Sequence, residues 1–394
     1  MTYLKFALAS ASMLVTLVPG TLAGWDAAAS DNIAVYWGQN SANSATSQQR
    51  LSYYCANTEI DVIPIAFMTG ISTPATNFAS AGNECTTFSG TGLLDCPQIE
   101  TDIIQCQQTY GKTIMLSLGG ATYTEGGFSS SSAAETAATN VWNLFGTPTG
   151  SANRPFGTAV VDGFDFDLET STQNMAPFGQ KLRSLMDAAT SAGAKKFYLS
   201  AAPQCPYPDV ADNDMLDGAV YFDWIQVQFY NNYCGVSAFT AGSTTQNNFN
   251  FATWDTWAKE TSLNPNVKVL LGVPASSGAG GGYVSASTLG PIIDYCKGFS
   301  SFGGVMMWDM SQLYGNSGFL DTVYDELING VATTTIKPTT TATTFTTSTT
   351  APTSTGVVGA YNQCGGTGYT GPTQCTAGYV CTEISPAWSQ CDPA

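Results

Sequence analysis

Asp165, Asp167 and Glu169 are three carboxylates at alternate positions, and Phe164, Phe166 and Leu168 fill the gaps between them. Read as a β-strand, a period of two puts the acids on one face and the apolar side chains on the other. Same-face neighbours then lie roughly 6–7 Å apart. The continuous apolar run Ala159-Val160-Val161 leads in, the pattern of a strand buried on both faces. Carboxylates at the end of a buried strand are costly to desolvate. So close together they do not all ionise easily, and at least one pKa is driven up. A raised acid beside an ionised one is what bond cleavage by general acid catalysis needs. The competing reading is an acidic strand end that binds calcium or faces solvent. The aromatic alternation and Gly163 favour catalysis.

The elements that must hold these acids follow from the rest of the chain. Short β-rich runs recur at Ile33–Trp37, Val62–Phe67, Thr113–Leu118, Ala159–Asp167, Lys196–Ala201, Trp224–Tyr230, Val267–Val273 and Gly304–Trp308. Helical stretches lie between them. In Met175–Gly193, Phe178, Leu182, Leu185, Met186 and Ala189 make one apolar stripe. Eight such alternations predict an α/β fold, a (β/α)8 barrel of the TIM type. A doubly wound open sheet is the alternative, but it usually uses fewer strands and brings a Gly-rich phosphate loop, which is absent here. Barrel chemistry sits at the C-terminal ends of strands. Those ends offer Tyr36 and Gln39, Gly119, Gln204, Gln226, Gln228 and Tyr230, and Trp308 as binding candidates. Gly119 and Gly120 would let a ligand approach the backbone.

The acidic run, extended to Asp162-Gly163, resembles the D-G-x-D-x-D-x-E signature of glycoside hydrolase family 18, the retaining chitinases, at every signature position. Over about residues 31–329 the chain is most similar to the plant-type and fungal class III (hevamine-like) chitinases. Ala34–Asn40, Leu116–Gly120, Ala201–Pro206, Val227–Asn232 and Gly304–Trp308 carry that similarity. The resemblance implies that Glu169 protonates the glycosidic oxygen while the substrate's own N-acetyl carbonyl attacks C1. It implies that Asp167 orients the acetamide and that Asp165 shares a proton with Asp167. Tyr230 would bond the acetamide carbonyl, and Trp308 would floor the sugar. It also implies non-proline cis peptides at Ala66–Phe67 and Trp308–Asp309. A barrel acting only as a lectin or inhibitor is a second reading, and an endo-β-N-acetylglucosaminidase on N-glycans a third. Retention of Asp165, Asp167, Glu169 and Tyr230 argues against the second.

Composition narrows the partners. Twelve Lys and Arg against 29 Asp and Glu leave a formal net charge of −17, which disfavours nucleic acid and anionic membrane. A neutral polysaccharide fits, chitin or a chitooligosaccharide, taken by a monomer. With no histidine in the chain, Ser-His and Cys-His catalysis and most zinc sites fall away, so no metal or cofactor is expected. Eleven cysteines without a C-x-x-C pair indicate disulfides and an extracellular location. Lys5 followed by the apolar run Phe6–Val18 reads as a signal peptide over residues 1–23, leaving a catalytic domain at 24–330.

Residues 331–358 are dominated by Thr and read as an extended, O-glycosylated linker. Residues 359–394 are too few for an apolar core without staples. Their four cysteines allow three pairings. The Gly, Tyr and Cys spacing from Gln363 to Cys391 resembles the family 1 carbohydrate-binding modules of fungi. That resemblance implies the pairs Cys364–Cys381 and Cys375–Cys391 and a sugar-binding face containing Tyr361, Trp388 and Gln390. The partner would be cellulose, chitin or a fungal wall. Ala387 stands where a third aromatic is usual; a folded spacer is the alternative. In the barrel the class III resemblance implies Cys55–Cys106, Cys85–Cys96 and Cys205–Cys234. Cys296 is left over, on a helical face with Ile292 and Ile293, and reads as a buried, inert thiol.

Overall fold

Each of the eight apolar runs is a strand in the computed structural model, which describes residues 24–148, 150, 153–329, 357–358, 363–365, 371–385 and 388–393. The described residues fall into two compact units. The larger contains β1 (Asn32–Val35), β2 (Val62–Gly70), β3 (Thr113–Gly119), β4 (Gly163–Asp167), β5 (Tyr198–Ala201), β6 (Trp224–Gln228), β7 (Lys268–Pro274) and β8 (Phe302–Trp308). Neighbours pair in parallel around the ring, and β1 closes it by pairing with both β8, Ile33 to Val305, and β2, Ala34 to Val62. The architecture is a (β/α)8 barrel. The signal-peptide and linker segments lie outside the described residues.

The main covering helices are α1 (Leu51–Cys55), α2 (Pro97–Tyr110), α3 (Ser131–Phe145), α4 (Met175–Ser191), α5 (Asn213–Leu216), α6 (Phe251–Glu260), α7 (Ala286–Lys297), α8 (Met310–Gly315) and α9 (Phe319–Ile328). On α4 the stripe works as its spacing predicts. Phe178, Leu182 and Met186 are buried, with Leu185 and Ala189 packed against the same core. Trp25 fills the N-terminal end of the barrel, stacked on Trp224 at 4.1 Å.

The strand read at 159–167 starts only at Gly163. Ala159 and Val161 are buried, but local bonds divert their backbone: the Ala159 amide donates to Phe156 and the Val161 amide to Phe145. At Gly163 a Cβ would lie 1.9 Å from the Tyr198 carbonyl oxygen, so β4 and β5 pair this closely only through a glycine. Ala66–Phe67, Tyr207–Pro208 and Trp308–Asp309 are cis; the first and third were expected from the family resemblance, the second was not.

At the rim, Glu125 ties the β3–α3 loop to the loop after β2. Its carboxylate accepts from the backbone amides of Ile71 (2.8 Å), Ser72 (2.9 Å) and Thr73 (3.0 Å). Burial pushes the Glu125 pKa up, but these donors outweigh it and hold it below the ordinary value. A depressed folded pKa contributes stability above the unfolded pKa and loses it as pH falls through the folded pKa. Glu125→Ala should therefore cost about 1–3 kcal/mol at neutral pH and flatten the acid part of the stability profile. Denaturation curves between neutral and acid pH check this; parallel profiles for parent and variant would contradict it.

Candidate active site

The alternation of β4 sorts its side chains as the sequence predicts. Phe164 faces Trp142 of α3, and Phe166 packs edge-on against Phe178 of α4 at 5.8 Å. Asp165 and Asp167 then point into the barrel. Asp165 is wholly buried and accepts four hydrogen bonds. Tyr36 Oη (2.6 Å) and Ser117 Oγ (2.7 Å) donate to one oxygen, Ser200 Oγ (2.7 Å) and Gln226 Nε2 (3.0 Å) to the other. Burial raises its pKa, and the four donors oppose that rise.

Asp167 has far less support. Gln228 Nε2 donates to it at 2.8 Å. Burial drives its pKa well above the carboxylate range, reinforced by the charges of Glu169 and Asp165. Glu169 stands at the mouth, and partial burial raises its carboxyl too. A proton therefore stays on the Asp167–Glu169 pair at pH values where isolated carboxylates are ionised. Tyr230 is buried beside them. Its phenol is held neutral by burial first, then by Asp167 and Glu169.

Asp167, Glu169, Tyr230 and Trp308 line one cavity of about 210 Å³ with Ala121, Gln204, Gln228, Asn231, Asn232 and Ala279. Trp308 is stacked on Phe67, 5.8 Å between ring centres. Of the binding candidates read from the sequence, Gln204, Gln228 and Trp308 therefore meet the acids in one place. Tyr36 does not line the cavity; its hydroxyl serves Asp165 from below. Gln39 does not line it either, since its amide nitrogen donates to the Ala66 and Asn77 carbonyls at 2.9 and 3.0 Å.

Gly119 makes room for backbone rather than ligand. At φ +116° its Cβ would sit 2.4 Å from the Asp167 carbonyl oxygen, so the glycine lets β3 pass the end of β4. Asp162, the first signature residue, sits at the far end of β4. It pairs with Lys195 (2.6 Å) and accepts from the Ile114 amide (2.7 Å), a fastening between strands.

Ser117 and Ser200 were missing from the sequence-derived site, and Gln226 was read at the rim but not as a partner of Asp165. Their signal was present: each is polar at an inward position of a barrel strand. Asp209 was also missed. It accepts from the amides of Gln204, Ala211 and Asp212 at 3.0, 2.8 and 2.6 Å, which fixes the loop that carries Gln204. Asp212 is wholly buried, and neither of its oxygens has a partner among the described residues. Burial, then Asp209 and Asp167, push its pKa far up, so it is a neutral acid behind the site.

Comparison with known proteins agrees with this geometry. The profile of glycosyl hydrolases family 18 matches residues 32–283. Endochitinase 33 of Trichoderma harzianum is 58% identical over 323 residues, spanning 81% of this chain and 99% of that protein. The chain belongs to glycosyl hydrolase family 18. A class III chitinase of Arthroderma benhamiae is 47% identical over 317 residues, 78% of this chain and 89% of the relative. Among crystal structures, a chitinase from Ipomoea carnea superimposes with a TM-score of 0.61 at 27% identity, covering 75% of this chain and 99% of that one. This family 18 member is thus a glycoside hydrolase. At its C-terminus, residues 360–388 match the fungal cellulose binding domain.

That C-terminal unit is held by cystines more than by a core. Strands Gln363–Gly365, Trp388–Pro393 and Tyr379–Ser385 form an antiparallel sheet; Cys364–Cys381 cross-links it, and Cys375–Cys391 ties it to the strand Gln374–Cys375. Three of the sulfurs crowd within 4.8 Å, but all are oxidised and supply no thiolate for a metal. Tyr361 and Ala387 lie outside the described residues; Trp388 and Gln390 are on a described strand. In the barrel unit the bonded pairs are Cys55–Cys106, Cys85–Cys96 and Cys205–Cys234. Cys296 is a free, buried thiol, and burial alone raises its pKa far above the ordinary value.

Tyr36→Phe removes one of four donors from a fully desolvated carboxylate. Stability should fall by about 1.5–3 kcal/mol in chemical denaturation, with unchanged circular dichroism. Asp165 should also hold its proton to higher pH, because the lost bond favoured the ionised form. An unchanged denaturation midpoint would show that burial alone sets the state of Asp165.

Proposed function

We propose that this chain is a secreted endochitinase that hydrolyses β-1,4 bonds between N-acetylglucosamine units with retention, assisted by the substrate. The observation that carries this reading is the convergence of Asp167, Glu169, Tyr230 and Trp308 on one small cavity. Two raised acids, a neutral phenol and an indole floor meet there. Asp167 and Glu169 are the only carboxylates among its lining residues. If Glu169 gives its proton to the leaving oxygen, the remaining acid is the deeply buried Asp167, poorly suited to exist as a free anionic nucleophile. The acetamide of the substrate then supplies the attacking oxygen. Asp167 accepts the acetamide N–H and stabilises the positive charge, with Asp165 sharing its proton. Tyr230 donates to the acetamide oxygen. The sugar ring lies on Trp308.

The names of the relatives described above point to the same substrate. Two features support secretion: the leader-like residues 1–23 and the five disulfides. The C-terminal module tethers the enzyme to insoluble polysaccharide.

Glu169→Gln keeps the shape and removes the proton. Turnover on chitin oligomers should fall about 10²–10⁴-fold with substrate still bound. Asp167→Asn should lower kcat more than it raises KM, because its interaction matures in the transition state. A parent protein that binds chitin oligomers without cleaving them would instead favour the lectin or inhibitor reading. For the tether, Tyr361→Ala or Trp388→Ala should weaken pull-down on chitin or cellulose and leave hydrolysis of a soluble oligomer unchanged, since each removes a flat apolar face. Unchanged pull-down by both variants would make the module a spacer.

A further inference from the structure

One aromatic beside the cavity has no structural task. Tyr233 is 66% exposed. Among the described residues its ring packs on no other ring and its hydroxyl makes no hydrogen bond. The exposed Tyr53, Tyr207 and Tyr314, by contrast, each rest on a neighbouring aromatic. Tyr233 occupies the corner of a turn closed by the Gly235 amide on the Asn232 carbonyl, where small polar residues, Gly or Pro are the usual choice. A tyrosine there forgoes an apolar payload of about 150–250 Å².

The turn is also rigid. Cys234 is disulfide-bonded to Cys205. Asn231 exchanges two bonds with Gly281, at 2.8 and 2.6 Å. Asn232 Nδ2 donates to Gln204 Oε1 at 3.2 Å, and both of these residues line the catalytic cavity. An unpaired aromatic on an anchored backbone thus follows Asn232 at the edge of the Gln204–Asn232 wall. That wall adjoins the loop following Glu169, since Thr172 Oγ1 of that loop donates to the Ala211 carbonyl at 3.1 Å. A sugar seated on Trp308, across the ring from β4, has its cleavable bond toward Glu169.

We propose that the leaving portion of the polysaccharide runs over this wall and that Tyr233 is the stacking platform for its first sugar. This assignment rests on the chitinase reading above. The test compares two substrates with the full-length protein: the hexamer of N-acetylglucosamine, which places sugars on both sides of the cleaved bond, and a chitotriosyl fluoride, whose leaving group carries no sugar. Tyr233→Ala should lower kcat/KM on the hexamer about threefold to tenfold, mainly through KM, and leave the fluoride unaffected. Tyr233→Phe, which keeps the ring, should match the parent on both. An unchanged hexamer value for Tyr233→Ala would overturn the assignment, as would an equal loss on both substrates, which marks a structural role. A parent inactive on both substrates would overturn the chitinase reading itself and this assignment with it.

Discussion

The desolvation of Asp165 is the constraint on which the rest of the site depends. A carboxylate at the centre of a barrel survives only if nearly every lone pair is satisfied. Its four donors, Tyr36, Ser117, Ser200 and Gln226, come from the end of β1 and from β3, β5 and β6. No local segment can assemble that set; only the closed ring of parallel strands brings it together. Asp167, one inward step along β4, accepts from Gln228 and has two acidic neighbours. The contrast between a saturated acid and a starved one holds a proton on the Asp167–Glu169 pair.

Much of this was legible because β-structure reports itself at period two. The Asp165-Phe166-Asp167 alternation gave both the face that meets the helices and the face that points into the barrel. The barrel followed from eight apolar runs, and the family signature carried the roles proposed for Asp167 and Glu169. Distant partnership was not legible. Ser117 and Ser200 look like ordinary strand residues until the register sets them opposite Asp165. Gln39 and Gly119 show the converse. Both sit at strand ends where ligands are expected. The amide of one is used by the Ala66 and Asn77 carbonyls, and the missing Cβ of the other is needed by the Asp167 carbonyl. Composition shows that a polar group or a glycine is present at the rim, but not which neighbour claims it.

The two units solve stability differently, and the sequence announces this. The barrel buries a continuous aromatic and aliphatic core between strands and helices, with three disulfides packed into it. The small C-terminal unit buries little beyond Val358, Cys364 and Cys391 among the described residues and depends on its two cystines. Its match to a fungal cellulose binding domain and the uncharged character of polysaccharides suit a chain with a net charge of −17. A neutral ligand offers ring faces and hydrogen bonds rather than ion pairs.

The central claim is that Glu169 carries the proton while the substrate, not the enzyme, provides the nucleophile. The most direct measurement is time-resolved proton NMR of the products formed from an N-acetylglucosamine oligomer, with its fully de-N-acetylated counterpart run in parallel. The account predicts that the first-formed product is the β-anomer and that the de-N-acetylated oligomer is not cleaved. An initial α-anomer, or efficient cleavage of the de-N-acetylated chain, would contradict it.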